Sequence, residues 1–231
     1  MTRTISQNLE TLRKQISSAE QRYHRHSGSV QLIAVSKTQP AEKLREAYQA
    51  GQRAFGENYL QEGLDKITAL NLHDIEWHFI GPIQSNKTRA IATHFDWVHS
   101  VDRLKIATRL NEQRPDELPP LNICLQINIS AEDRKSGTNT IEALTLAKEI
   151  CKLPRLTLRG LMAIPSHSDD ATEQRKMFSA MQQLLLTFNA TLPMRLDTLS
   201  MGMSGDMDAA IAEGATMVRI GTGIFGTRQS L

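Results

Sequence analysis

Two rhythms of apolar positions run along the chain. Ile5, Leu9, Leu12 and Ile16 share one stripe of a 3.6-residue period, with charges elsewhere, so residues 5 to about 23 read as an amphipathic helix. Beyond it, short aliphatic and aromatic runs alternate with longer amphipathic ones. The strand-like runs are "QLIAVS", "RAFGE", "EWHFIG", "DWVHS", "NICLQIN", "LRGLMAI", "TLSMG" and "MVRIG". Between them lie helix-like runs such as "AEKLREAYQA", "LQEGLDKITAL", "QSNKTRAIATH", "DRLKIATRLNEQ", "IEALTLAKEICK", "ATEQRKMFSAMQQLLLTF" and "MDAAIAEGA".

Roughly eight strands, nearly every one followed by a helix, fit the length of a compact (β/α)8 barrel. The expectation is an α/β fold: a single-domain TIM barrel over residues 1–231 with an extra N-terminal helix, free to cover the barrel bottom or meet a partner. No linker rich in Pro, Gly or Ser divides the 231 residues. An open doubly wound sheet shares the alternation, but the strand count favours closure.

In a barrel of this kind chemistry sits at the C-terminal strand ends. Those ends carry Lys37, Glu57 and Asn58, His78, His99 and Ser100, Asn128, Met162, Ser200, and Arg219 with Gly221. Wet loops account for several of them. They account less well for a lysine and an arginine flanked by apolar strand residues, where a cation is costly to desolvate.

Composition removes whole classes of function. Lysine and arginine exceed aspartate and glutamate by 27 − 25 = +2, spread too evenly for nucleic acid or a charged membrane surface. Cys124 and Cys151 suggest neither a metal site nor a disulfide framework. The first residues lack a secretory core and no run approaches membrane-spanning length, so a reducing cytoplasm is the expected setting.

The last strand leads into "VRIGTGIFGTR". Gly221, Gly223 and Gly226 spell G-x-G-x-x-G, but only five residues follow Gly226, too few for a dinucleotide unit. A barrel phosphate site fits better, with Gly221 and Thr222 turning N–H groups toward an anion. Ser204, in "GMSGDMDAAIAEGA", stands at an expected helix start and reads as an N-cap, a phosphate contact or both. In a closed barrel the first strand adjoins the eighth, which brings Lys37 beside that site. An amine next to a phosphate cup suits an aldehyde phosphate held as a Schiff base, with the lysine pKa lowered by desolvation or a nearby cation. Pyridoxal 5′-phosphate is such a ligand. By spacing alone Lys37 also fits an ordinary surface lysine.

Together "AVSKTQP", "FGENYLQE", "WHFIGPIQSNK", "RGLMAIP", "LSMGMSGDM" and "VRIGTGIFG" resemble the YggS/PROSC family of pyridoxal-phosphate-binding proteins, from about residue 30 to 228. The resemblance implies the alanine-racemase-like N-terminal barrel without its second domain. It implies Lys37 as the cofactor-bearing lysine, Asn58 beside the pyridine ring, Ser204, Gly221 and Thr222 on the phosphate, and Arg219 on the ring nitrogen. Met162, His78 and Ser200 then face or support the cofactor. Gly223, Gln39 and Gly205 depart from the usual alanine, lysine and polar residue; none removes a group with an assigned role.

An arginine on the ring nitrogen gives up a proton only with great difficulty, which leaves the pyridine a poor electron sink. A racemase also needs a second acid or base on the opposite face of its substrate. Tyr23, Tyr48 and Tyr59 are not placed to supply one, and His78 and His99 fit structural hydrogen bonding better. The first expectation is therefore a carrier that binds pyridoxal phosphate, buffers it and passes it to apo-enzymes, with Lys87 and Lys135 as transient carriers or plain solvated lysines. It is expected as a monomer or weak dimer, with no nucleic-acid or membrane partner. The alternatives are a pyridoxal-phosphate racemase or lyase of narrow scope, and a Schiff-base aldolase without cofactor.

Overall fold

The computed structural model describes residues 3–130, 136–166 and 168–226. Among them are eight strands: β1 Gln31–Val35, β2 Ala54–Glu57, β3 Glu76–Phe79, β4 Trp97–Val101, β5 Leu121–Gln126, β6 Leu156–Met162, β7 Thr198–Ser200 and β8 Met217–Ile220. They pair in chain order, all parallel, and β8 closes on β1 in the register Ala34 to Ile220. This closure rules out the open sheet.

The helices are α1 Ile5–Arg22, α2 Ala41–Gln49, α3 Leu60–Leu70, α4 Thr88–His94, α5 Leu104–Gln113, α6 Thr140–Ile150, α7 Ala171–Thr191, α8 Met207–Ala212 and α9 Thr222–Phe225. A 3-10 turn at Ser85–Lys87 precedes α4. The outer core lies between this ring and the sheet, with Phe55, Phe79, Phe95, Phe178 and Phe188 almost fully buried. Inside the barrel Ile33, Ala54, Trp97, Cys124, Met162 and Met217 form a separate apolar cluster. The buried polar side chains His78, His99, Ser200 and Arg219 share that interior.

The N-terminal helix neither covers the barrel bottom nor stands apart. A capping box of Thr4 and Gln7 starts α1, which then packs along the flank against α2, α8 and α9. At the upper end Asn8 Nδ2 donates to the Ile224 carbonyl at 2.8 Å. At the lower end Glu20 accepts from the Gly28 and Val30 N–H groups at 3.0 and 2.9 Å. The reason is a vacancy in the ring. Among the described residues the one helix after β8 is the four-residue α9, too short to cover the sheet, and α1 fills the place between α8 and α2 with Leu9, Leu12 and Ile16.

Candidate functional site

A cavity of about 310 Å³ opens at the C-terminal mouth of the barrel. Its wall is made by Val35 at the end of β1, Lys37 and Gln39 after it, Asn58 after β2, Ile80 after β3 and Ile164 after β6. Met203, Ser204 and Gly205 after β7, and Arg219, Gly221, Thr222 and Gly226 at β8 and α9, complete it. The amine-bearing loop and the glycine turn thus meet in one cup, because β1 and β8 are hydrogen-bonded neighbours. A Cβ on Gly221 would lie 3.1 Å from the Val35 carbonyl oxygen, which shows how closely the two loops approach.

Lys37 is half-buried. After β2, beside β1 in the barrel, Asn58 presents an Oδ1 atom that is buried and has no partner among the described residues. Its backbone is held against Gly81, where a Cβ would come within 1.9 Å of the Asn58 carbonyl oxygen. Only glycine permits that approach. At the end of β8, α9 begins with Gly221 as its N-cap. The Thr222 and Gly223 N–H groups there have no intrahelical acceptor.

Arg219 is 4% exposed and is aimed by two hydrogen bonds. Its Nη1 donates to Ser200 Oγ at 2.7 Å and its Nη2 to the Ala163 carbonyl at 3.0 Å. Burial brings its pKa down to about 10, with Asp206 and Cys124 acting the other way. It stays a cation at neutral pH. A chain of polar groups continues behind it: Ser200 Oγ to His99 Nδ1 at 2.8 Å, His99 Nε2 to His78 Nδ1 at 2.9 Å, and His78 Nε2 to Glu76 Oε1 at 2.8 Å. Burial, His78 and Arg219 hold the His99 pKa well below the usual imidazole range. Burial pushes the Glu76 carboxyl up, but the His78 hydrogen bond and charge, with the Gln31 amide, outweigh it and bring it down to about 2. Arg219 can only donate and ionised Glu76 can only accept, so the two ends of the chain are fixed, while the direction of the links between them follows the ring tautomers.

The sequence expects His78, Met162 and Ser200 to face or support the cofactor; all three are completely buried and do not line the cavity. Alternate residues of a strand face inward, and on β3, β6 and β7 the mouth is reached at least one alternation later. Ile80, Ile164 and Met203 stand at the cup instead. Ser200 bears on the site through Arg219, and His78 at two removes further. Met162 belongs to the apolar interior cluster. Ser204 is not a helix cap: α8 starts at Met207 after Asp206, whose Oδ1 accepts from the Met203 N–H at 2.6 Å. Ser204 lies in the exposed turn before it and borders the cup.

Lys37, Asn58, Ser204, Arg219, Gly221 and Thr222 are brought together. Lys87 is exposed in its 3-10 turn and does not line the cavity. Lys135 lies outside the described residues. Tyr23 and Tyr48 bond Asp208 and Asp74, and Tyr59 is 58% exposed as the N-cap of α3, so none lines the cavity. Sequence reasoning missed the apolar wall of Val35, Ile80 and Ile164, for which only strand register gives a signal.

A family model described as the alanine racemase N-terminal domain matches residues 7–229. The pyridoxal phosphate homeostasis proteins of Vibrio alginolyticus and Escherichia coli (strain K12) are 56% and 55% identical to this chain. Those alignments cover 97% of this chain and 98% and 97% of theirs. Structures of PipY from Synechococcus elongatus PCC7942, without PLP and with PLP bound, match at TM-scores of 0.87 and 0.86 and 39% and 38% identity. Both cover 96% of this chain and 100% of theirs. Alanine racemase from Corynebacterium glutamicum shares only the fold, at a TM-score of 0.72 and 16% identity, over 97% of this chain and 61% of its own. Barrel, cup and comparisons agree: the chain belongs to the YggS/PROSC family of pyridoxal phosphate homeostasis proteins, built on the alanine racemase N-terminal barrel.

Proposed function

We propose that this protein binds pyridoxal 5′-phosphate reversibly as a Schiff base on Lys37 and serves to buffer and deliver it inside the cell, without catalytic turnover. The observation that carries this reading is one cavity wall bearing an amine, a buried guanidinium and an anion turn. The residues fit the group. Asn58 Oδ1 is a buried acceptor in need of a donor, Arg219 keeps N–H groups beyond its two bonds, and the first N–H groups of α9 have no acceptor within the helix.

Lys37 would supply the amine that holds the aldehyde carbon as a Schiff base. Ser204, Gly221 and Thr222 would hold the phosphate, and Asn58 would lie beside the ring. Arg219 would donate to the ring nitrogen and keep its own proton. When bound, pyridoxal phosphate supplies an electron sink, and its strength depends on protonation of that nitrogen. A guanidinium that does not part with its proton keeps the sink weak. Among the described residues lining the cavity, Lys37 and Arg219 are the only titratable ones. A racemase would need a further acid or base there. This supports a carrier over the racemase or lyase.

The test compares two rates in the loaded protein. The carrier reading expects cofactor to reach an apo-enzyme faster than free release allows. It also expects amino acids in heavy water to exchange their Cα hydrogen no faster than with free cofactor. Exchange well above that background, with no assisted transfer, would establish an enzyme instead.

A further inference from the structure

We infer that Lys66, Glu57 and Glu62 form a charged clamp, buried at Lys66 and Glu57 and partly exposed at Glu62, that aims the Lys37 amine into the cup; this rests on the reading of Lys37 as the Schiff-base lysine. Lys66 is 5% exposed, on α3, and its Nζ donates to three oxygens. They are the Ser36 carbonyl at 2.6 Å, Glu57 Oε1 at 2.8 Å and Glu62 Oε1 at 2.6 Å. Glu57 Oε1 also accepts from Ser36 Oγ at 2.6 Å. Glu62 Oε1 also accepts from the Thr38 N–H at 2.5 Å.

The two backbone groups held this way are the C=O and N–H of the peptide units on either side of the Lys37 Cα. Both are tied to one ion cluster carried by β2 and α3. Thr38, with φ of +63°, is a β-branched residue in the left-handed region. Such strain persists only where the surroundings overdetermine it. Here the overdetermining contact is the Glu62 carboxylate.

A buried ion pair is weak support for stability, since apolar side chains of similar volume serve as well or better. Its location is informative instead. The clamp grips the one loop whose side chain must meet an aldehyde at a fixed angle. Glu57 Oε2 is buried with no partner among the described residues, so that carboxylate is oriented by Lys66 and Ser36 alone. Burial raises the Glu57 pKa, while Lys66 and Ser36 oppose the shift. Glu57 directly precedes Asn58, so the same cluster also holds the neighbouring wall of the cup, after β2.

The experiment follows Schiff-base formation by rapid-mixing absorbance in the full chain. Binding of pyridoxine 5′-phosphate, which has the phosphate and ring but no aldehyde, is measured in parallel. Glu62→Ala frees the Thr38 N–H. It should slow imine formation roughly tenfold or more, since small misplacement of a reacting group has large kinetic cost. Affinity for pyridoxine 5′-phosphate should stay within about twofold. Glu62→Gln keeps an acceptor oxygen and should restore much of the rate. Lys66→Met should slow imine formation as well; if it fails to fold, the Glu62 pair carries the test. Imine formation at the wild-type rate in Glu62→Ala would overturn the proposal. So would equal losses in both measurements, which would reduce the cluster to a folding element. A wild type that binds pyridoxine 5′-phosphate but forms no adduct on Lys37 would remove the reading beneath it, and the clamp with it.

Discussion

Arg219 shows how a buried cation is kept in place by residues that never reach the cavity. Ser200 accepts from its guanidinium and shares a hydrogen bond with His99 Nδ1, so Ser200→Ala leaves both without that partner. The expected loss is about 1–3 kcal/mol of unfolding free energy, read by urea titration. His99 adds a pH dependence whose sign follows from its depressed folded pKa. Below about pH 6.5 the unfolded chain binds a proton that the folded chain refuses. Stability is therefore full above that pH and falls below it, by up to about 1.4 kcal/mol per pH unit. His99→Gln should flatten the slope between pH 7 and 5; an unchanged slope would assign it to other groups. Ser204 makes the opposite prediction. It borders the cup and does not cap α8, so Ser204→Ala should weaken cofactor retention by about 1.5–3 kcal/mol with little change in melting temperature. The sequence showed that Lys37, Arg219 and Ser204 matter because charged or turn residues at apolar strand ends are conspicuous. It did not show Lys66, whose helix reads as an ordinary amphipathic one, with burial decided by a loop about thirty residues away.

Elements were legible where their hydrophobic rhythm was long, and less so where register decided which side chain faced the cup. On β3 the sequence run "EWHFIG" contains both His78 and Ile80, and period two puts both inside. Only the height of the strand in the closed barrel determines that Ile80 lines the cup while His78 is buried below. The same register sets Met162 and Ser200 below the cup. The α1 stripe was read correctly, but its docking place depended on the shortness of α9, which pattern alone does not weigh. Leu9, fully buried on α1, tests that docking: Leu9→Ala should cost about 2–5 kcal/mol if the helix fills the ring, and under about 1 kcal/mol if it packs loosely. Gly81→Ala tests the Asn58 wall. Its Cβ would collide with the Asn58 carbonyl, so cofactor affinity should fall together with stability.

At the scale of the whole molecule, the barrel turns remoteness in sequence into contact. Lys37 and Gly221 lie near opposite ends of the chain, yet the pairing of β1 with β8 makes them neighbours. No helix among the described residues is long and apolar enough to cross a membrane, and no cluster there could hold a metal ion. Cys124, pushed up to about 12 chiefly by burial, should stay unreactive toward thiol reagents until the barrel opens. The central claim is that the amine of Lys37 and the glycine turn after β8 form one site for pyridoxal 5′-phosphate. Borohydride reduction of the loaded protein, followed by peptide mass mapping, tests it most directly. The account predicts a phosphopyridoxyl group on the peptide containing Lys37, absent from Lys37→Ala. A label on another lysine, or an equal label in Lys37→Ala, would contradict it.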